Sequence, residues 1–194
     1  MLNFQNTTIL LASQSPRRRT LLQELGFNVK IVKPPDIDEI YPDHLAGSEI
    51  PLYLARLKSD AYSGKIDDHS ILITADTIVW IDNHLIGKPE GRDGAISMLK
   101  NLSGRKHQVY TGVCLKYHDN YKQLCEETNV YFRILTEEEI IYYVDNYEPY
   151  DKAGAYGVQE WIGFTGVERI EGSYSNVMGL PTHRVYTEIC KLIK

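Results

Sequence analysis

At 194 residues, with 43% hydrophobic and 24% charged side chains, the chain has ample material for one globular core, which it can arrange as two lobes. Its formal net charge of −5 excludes a general binder of nucleic acid or of a membrane surface, because both need a basic field over a whole face, so any anion site is local. Cys114, Cys125 and Cys190 are odd in number and lack metal-ligand spacing, which reads as small buried hydrophobes in a reducing compartment. Residues 1–6 lack a basic-then-apolar leader, and no stretch approaches the roughly eighteen apolar residues of a membrane span, so a soluble, cytoplasmic protein is expected.

In chain order, a short strand at Ile9–Ala12 runs into Ser13-Gln14-Ser15-Pro16-Arg17-Arg18-Arg19. Ser15 suits an N-cap, Pro16 the first helical position, Leu21, Leu22 and Leu25 form the apolar stripe, and Gly26 suits the C′ position. Three arginines in the first turn oppose the helix dipole, at a few tenths to about 1 kcal/mol each. A bound anion resolves the conflict: free N–H groups, serine hydroxyls and guanidinium forks suit phosphate, and polyphosphate better still. A solvated basic face is the plainer alternative. On the same argument, removing Arg18 is expected to leave the free protein unchanged or slightly more stable.

A strand near 27–32 is followed by Pro34-Pro35 and the acidic Asp36–Glu39, then by a helix over 48–62 with Leu54, Leu57 and Ala61 inward. At 100° per residue Lys58 lies beside Leu54, pointing toward an interior or a cleft unless it merely snorkels. The run Ile71–Trp80 reads as a central strand buried on both faces with Asp76 in its middle. Burying an unpaired charge costs several kcal/mol, so Asp76 needs a cation, a metal, donors or a raised pKa; capping a backbone bulge is the bland alternative. Asp82-Asn83 marks a hairpin turn, Gly87 and Pro89 fix the backbone around Lys88, and a helix over 93–102 leads to Ser103-Gly104-Arg105 and a strand carrying His107, Val109 and Thr111 on one side.

A hairpin around His118–Asn120, a strand over 127–135 and a capping box of Thr136 and Glu139 opening a helix to Tyr147 come next. The small-residue segment Asp151–Gln159 is expected to pass close to a ligand rather than to pack, with Lys152 and Gln159 as recognition groups. Asn176–Pro181 turns into a last helix with Val185, Ile189, Leu192 and Ile193 inward. Alternating strands and helices imply α/β. The six histidines show no zinc spacing.

These segments resemble one family, the Maf-type nucleoside triphosphate pyrophosphatases, named for an association with septum formation. The resemblance runs over nearly the whole chain: Ser13-x-Ser15-x-Arg17-Arg18, Asp38-Glu39, Lys58, Ala75-Asp76-Thr77, Gly87-Lys88-Pro89, Ser103-Gly104-Arg105-x-His107, Asp151-Lys152-Ala153-Gly154 and Asn176–Pro181 occur in family order. It implies a single domain over residues 1–194: a mixed, elongated β-sheet flanked by helices in two lobes, similar to inosine triphosphate pyrophosphatases, with the active site in the cleft and a homodimer as the assembly. It implies hydrolysis of a nucleoside triphosphate to monophosphate and pyrophosphate with Mg²⁺ or Mn²⁺. Asp76 is then the general base, with Lys58 and Lys88 as catalytic cations. Glu39 is the metal ligand, with Asp38 and Asp76 sharing that role. Ser13, Ser15, Arg17, Arg18, Thr74, Lys88, Arg105, Lys152 and Gln159 bind substrate.

The glutamine ending Gly154-Ala155-Tyr156-Gly157-Val158-Gln159 resembles the branch acting on dTTP and UTP, because an amide matches the O4/N3–H edge of thymine or uracil. Thr74, Arg18 and Lys88 match that branch as well. Glu160-Trp161 departs from the glycine of many relatives, adding bulk near the base. A non-enzymatic nucleotide-binding regulator of cell division is the alternative, and Asp76 separates the two, since a sensor needs no buried base beside a metal site. A nucleic-acid binder using Arg17–Arg19 lacks the required field.

Overall fold

The computed structural model describes residues 7–193, which divide into two compact units with separate cores. One unit runs through Asp76 and adds Thr111–Glu126 and the segment from Gly179 onward. It holds β1 (Thr8–Leu11), α1 (Pro16–Glu24), β2 (Asn28–Ile31), α2 (Glu49–Ala61), the first part of β3 (Ser70–Ile81) and the last helix, α7 (Thr182–Leu192). β1 pairs in parallel on both edges, Thr8 facing Asn28 of β2 and Ser70 of β3. Parallel neighbours require crossover connections, which α1 and α2 provide. Ile9, Leu11, Ile71 and Ile73 from the strands and Leu22, Val185 and Ile189 from the helices close the core.

α1 forms where the punctuation predicts. Ser15 sits at the N-cap with extended dihedrals, Pro16 opens the helix, and Gly26 at φ +82° closes it by donating its N–H to Gln23 O, a left-handed conformation that favours glycine. The Ser15 side chain, however, makes no capping bond; the Ser15 N–H donates to Ser13 Oγ at 3.2 Å instead.

The other unit comprises Thr77–Tyr110 and Glu127–Met178. β4 (His84–Ile86) returns antiparallel on β3 across Asp82 and Asn83, at φ 50° and 62°, as expected of a two-residue primed turn. α3 (Gly91–Leu102), α4 (Glu137–Tyr147), α5 (Trp161–Gly166), β7 (Val167–Glu171) and α6 (Tyr174–Val177) complete it. β5 (Lys106–Tyr117) and β6 (Asn120–Phe132), like β3, have residues in both units. The mixed sheet has the order β2-β1-β3-β5-β6-β7, with β4 on β3.

Three expectations change. β6 starts at Asn120, seven residues before the anticipated strand, because the buried positions Leu124, Thr128, Val130 and Phe132 keep period two through a polar stretch. Residues 151–159 do pack: two 3₁₀ turns, Pro149–Asp151 and Ala153–Ala155, lead to Ala155, Tyr156 and Val158 in the core. α5 and β7 lay outside the anticipated elements. Of the cysteines, Cys114 is buried, whereas Cys125 and Cys190 are only partly so.

The Thr136 capping box forms completely. Glu139 N–H donates to Thr136 Oγ1 at 3.2 Å, and Thr136 N–H donates to Glu139 Oε2 at 2.9 Å. Arg133 grips the same carboxylate at 2.7 and 3.0 Å, and chiefly this bond holds the Glu139 pKa down at about 2. The stabilisation is therefore present above the ordinary glutamate pKa and is lost as pH falls toward about 2. Thr136→Ala should cost about 1 kcal/mol. Thermal denaturation checks this, with Tm expected to fall by about 2–4 °C and an unchanged Tm counting against the cap.

Candidate active site

The first unit brings together most of the charged residues singled out in its sequence. Lys58 stands on α2 beside the buried Leu54, and its side chain is 14% exposed. Its Nζ donates to Asp76 Oδ1 on β3 at 2.6 Å and lies 3.0 Å from Glu39 Oε2. Asp76 is nearly as buried, at 13%, whereas Glu39 is 53% exposed. One ammonium thus holds two carboxylates brought from a strand and a loop. Asp38 is exposed and makes no such contact, so of the acidic pair it is Glu39 that joins the cluster.

Arg18 lies beside them. Its Nε donates to Gly179 O at 2.8 Å, and its Nη1 donates to Ala75 O at 2.9 Å and to Ser13 Oγ at 3.3 Å. Arg18 therefore ties α1 to the residue before Asp76 and to the turn ahead of α7. Ser13 is buried and accepts the Ser15 N–H as well. Thr74 is fully buried, donating its hydroxyl to Ala55 O at 2.7 Å. That bond joins β3 to α2, the two elements carrying Asp76 and Lys58, which makes Thr74 a positioning group. Arg17 and Ser15 are half-buried.

Burial raises the Asp76 pKa from its ordinary value, and the charge and hydrogen bond of Lys58 and the charge of Arg18 oppose that rise without cancelling it. The carboxylate is thus a stronger base than a surface aspartate and stands closer to a working pH. Its Oδ2 takes no hydrogen bond among the described residues. Two carboxylates already converging on an ammonium, a cation of another kind, also suit a hard divalent ion. Such an ion takes one or two protein carboxylates and completes its shell with phosphate oxygens and water. Among the described residues no group of three or more His, Cys, Asp or Glu is arranged around one point; Glu39 and Asp76, which share Lys58, are the pair that could hold such an ion.

The remaining singled-out residues belong to the second unit. Lys88 is exposed, and the Gly87 carbonyl before it accepts Gly154 N–H at 2.9 Å. Arg105 pairs with Asp82 and donates to Asn101 Oδ1 at 2.8 Å. Lys152 is buried between Asp151 Oδ1 at 2.8 Å and Glu160 Oε1 at 3.2 Å. Gln159 is half-buried, and its Oε1 is buried without a hydrogen-bond partner among the described residues.

Two contacts here carry no mark in the sequence. Tyr143 is fully buried with its hydroxyl on Glu160, a partner seventeen positions further along that no local spacing announces. His107 is fully buried on Tyr156 Oη at 2.8 Å, and burial pushes its pKa down to about 3, so it stays neutral. A buried imidazole on an alternating strand carries no sequence mark of its partner.

Arg18 revises one expectation directly. Its bonds to Gly179 O, Ala75 O and Ser13 Oγ mean that Arg18→Ala removes a donor from two carbonyls, so the free protein should lose about 1–3 kcal/mol instead of gaining stability. Chemical denaturation without nucleotide checks this; an unchanged midpoint would reduce Arg18 to a dispensable surface charge.

Comparison with known proteins gives a family. Residues 8–192 match the model described as Maf-like protein. The chain is 54% identical over 190 residues to a protein of Bacteroides thetaiotaomicron named dTTP/UTP pyrophosphatase, covering 98% of each. It is 55% identical to the protein of that name from Bacteroides fragilis (strain NCTC 9343), again covering 98% of each. It is 49% identical to the one from Porphyromonas gingivalis W83, covering 96% of this chain and 95% of that one. Among solved structures, a HAM1 protein from Coxiella burnetii aligns with a TM-score of 0.46 at 16% identity, over 65% of this chain and 73% of that one. With a family match from β1 to the end of α7 and relatives of nearly equal length, the chain belongs to the Maf-like proteins.

Proposed function

We propose that this chain hydrolyses dTTP and UTP to the nucleoside monophosphate and pyrophosphate, with Asp76 as general base and the whole chain as one functional domain. The observation that carries the reading is the buried Lys58 ammonium between Asp76 Oδ1 and Glu39 Oε2, with Arg18 fixed beside it. Near-full-length relatives named dTTP/UTP pyrophosphatase support the same reaction.

Asp76 accepts a proton from water as the water oxygen bonds the α-phosphorus and the bond to the bridging α–β oxygen breaks. The electron pair leaves with pyrophosphate. Lys58 holds Oδ1, so the proton goes to Oδ2. Glu39 and Asp76 are the residues that would hold Mg²⁺ or Mn²⁺, which when bound neutralises charge on the phosphate oxygens. Ser13, Ser15, Arg17 and Arg18 at the start of α1 bind the phosphates, joined by Lys88 as a positioned charge. Thr74 positions Asp76 through its bond to Ala55, Arg105 joins the substrate-binding cations, and Lys152 serves the segment that carries Gln159. Gln159 reads the base: its unsatisfied Oε1 is the acceptor that an N3–H of uracil or thymine supplies with a donor. A homodimer and a cytoplasmic location follow from the family resemblance and belong to the same proposal.

Asp76→Asn keeps the shape and removes the proton acceptor, so UTP turnover should fall about 10²- to 10⁴-fold; near-normal turnover would remove Asp76 from the chemistry. Because the folded pKa is raised, the native state holds its proton to higher pH than the unfolded chain. The Asp76 contribution to stability is therefore lost as pH rises from the ordinary value of 3.8 through the raised one. Asp76→Asn should accordingly match or exceed the parent in stability at pH 7, an advantage that shrinks toward pH 4, as urea titrations at both pH values would record.

Gln159→Leu should lower kcat/KM for dTTP and UTP by roughly 5- to 150-fold and cost purine nucleotides less. Equal losses on every nucleotide would show that Gln159 does not read the base.

A further inference from the structure

Under the segment that carries Gln159 runs a buried polar chain that the proposed reaction does not use. Lys152, its side chain 10% exposed, meets Glu160 Oε1 at 3.2 Å as well as Asp151. The other oxygen of Glu160 accepts the Tyr143 hydroxyl, and the Tyr143 oxygen in turn accepts Gly157 N–H at 3.0 Å. Burial first, and the bond to Glu160 second, hold the Tyr143 phenol well above its ordinary pKa, so it remains a donor. The main chain closes the same turn, with Glu160 N–H donating to Gly157 O at 3.0 Å. Glycine at 157 leaves room for this carboxylate, since a Cβ there would stand 2.6 Å from the Glu160 carboxyl carbon and would displace it.

One buried side-chain atom of this turn stands apart: the Oε1 of Gln159, the residue just before Glu160, has no partner among the described residues. A buried acceptor left unmade costs about 1–3 kcal/mol, and a free loop would relax to avoid it. The turn from Gly157 to Glu160 cannot relax without breaking the Tyr143 and Lys152 bonds.

We propose that Glu160 is a positioning residue for pyrimidine selection: held by Lys152 and Tyr143, it locks the turn that keeps the Gln159 acceptor unpaired and aimed at an N–H donor of the base. The inference rests on Gln159 reading the base. It also gives Lys152 its role, since an ammonium engaged by two carboxylates serves the turn and not a phosphate.

The test compares steady-state kinetics on UTP and CTP, with Tm, for the parent enzyme, Glu160→Gln, Tyr143→Phe and Gln159→Leu. Glu160→Gln and Tyr143→Phe should each raise KM for UTP roughly 3- to 10-fold and lower the UTP-over-CTP preference by a similar factor, as expected for one hydrogen bond, while kcat stays within about twofold. If both variants lose Tm but keep the parental KM and preference, the network is structural only and the inference fails, while Gln159→Leu reports separately whether Gln159 reads the base. If Gln159→Leu leaves the preference unchanged, the base reading fails and the inference with it. Should Glu160→Gln not fold, Tyr143→Phe, which removes a single hydroxyl, decides between these outcomes.

Discussion

A lysine ammonium buried between two carboxylates sets the terms for the first unit of this molecule. Lys58, Asp76 and Glu39 come from a helix, a strand and a loop separated by long stretches of chain, and they meet within 2.6 and 3.0 Å. An isolated buried charge costs several kcal/mol, and the convergence of the three offsets part of that cost. The residual imbalance is informative: burial still outweighs Lys58 and Arg18 at Asp76, and its pKa stays raised. A carboxylate whose protonated form the fold favours is poor for stability and good for taking a proton from water.

The scaffold explains how that imbalance persists. Thr74 bonds Ala55 and Arg18 bonds Ala75, so the backbone immediately before Asp76 is tied to α2 on one side and to α1 on the other. Arg18 also holds Gly179, ahead of α7. An arginine in the first turn of a helix, costly for the dipole when considered alone, is offset by two carbonyl acceptors that lie far away in sequence and by Ser13 Oγ close by. The second unit solves a different problem with similar means. There a carboxylate, Glu160, is satisfied on both oxygens so that its neighbour Gln159 is not.

What sequence could announce, it announced through local chemistry. Pro16 with Gly26, the Asp82-Asn83 turn and the Thr136–Glu139 box each need only residues a few positions apart, and all three form as expected. Lys58 was legible because helical spacing put it beside Leu54, and Asp76 because a charge in an apolar strand demands a partner. Long-range pairing left no such mark. Nothing in the run Arg17–Arg19 says that Arg18 reaches acceptors 57 and 161 positions away, or that Glu39, and not Asp38, turns toward Lys58. The packing of Ala153–Val158 was hidden by small residues that resemble a loop, and β6 by polar residues filling its exposed face. Glu160 looked like added bulk, since its partner Tyr143 lies 17 positions away on another element and no local spacing points to it.

The central claim is that the Asp76 cluster directs water to the α-phosphorus of a pyrimidine nucleoside triphosphate. Hydrolysis of UTP in H₂¹⁸O, followed by mass spectrometry of the products, tests it most directly. The account predicts one ¹⁸O in UMP and none in pyrophosphate. Label in pyrophosphate, or release of orthophosphate and UDP, would place the attack on a different phosphorus and contradict it.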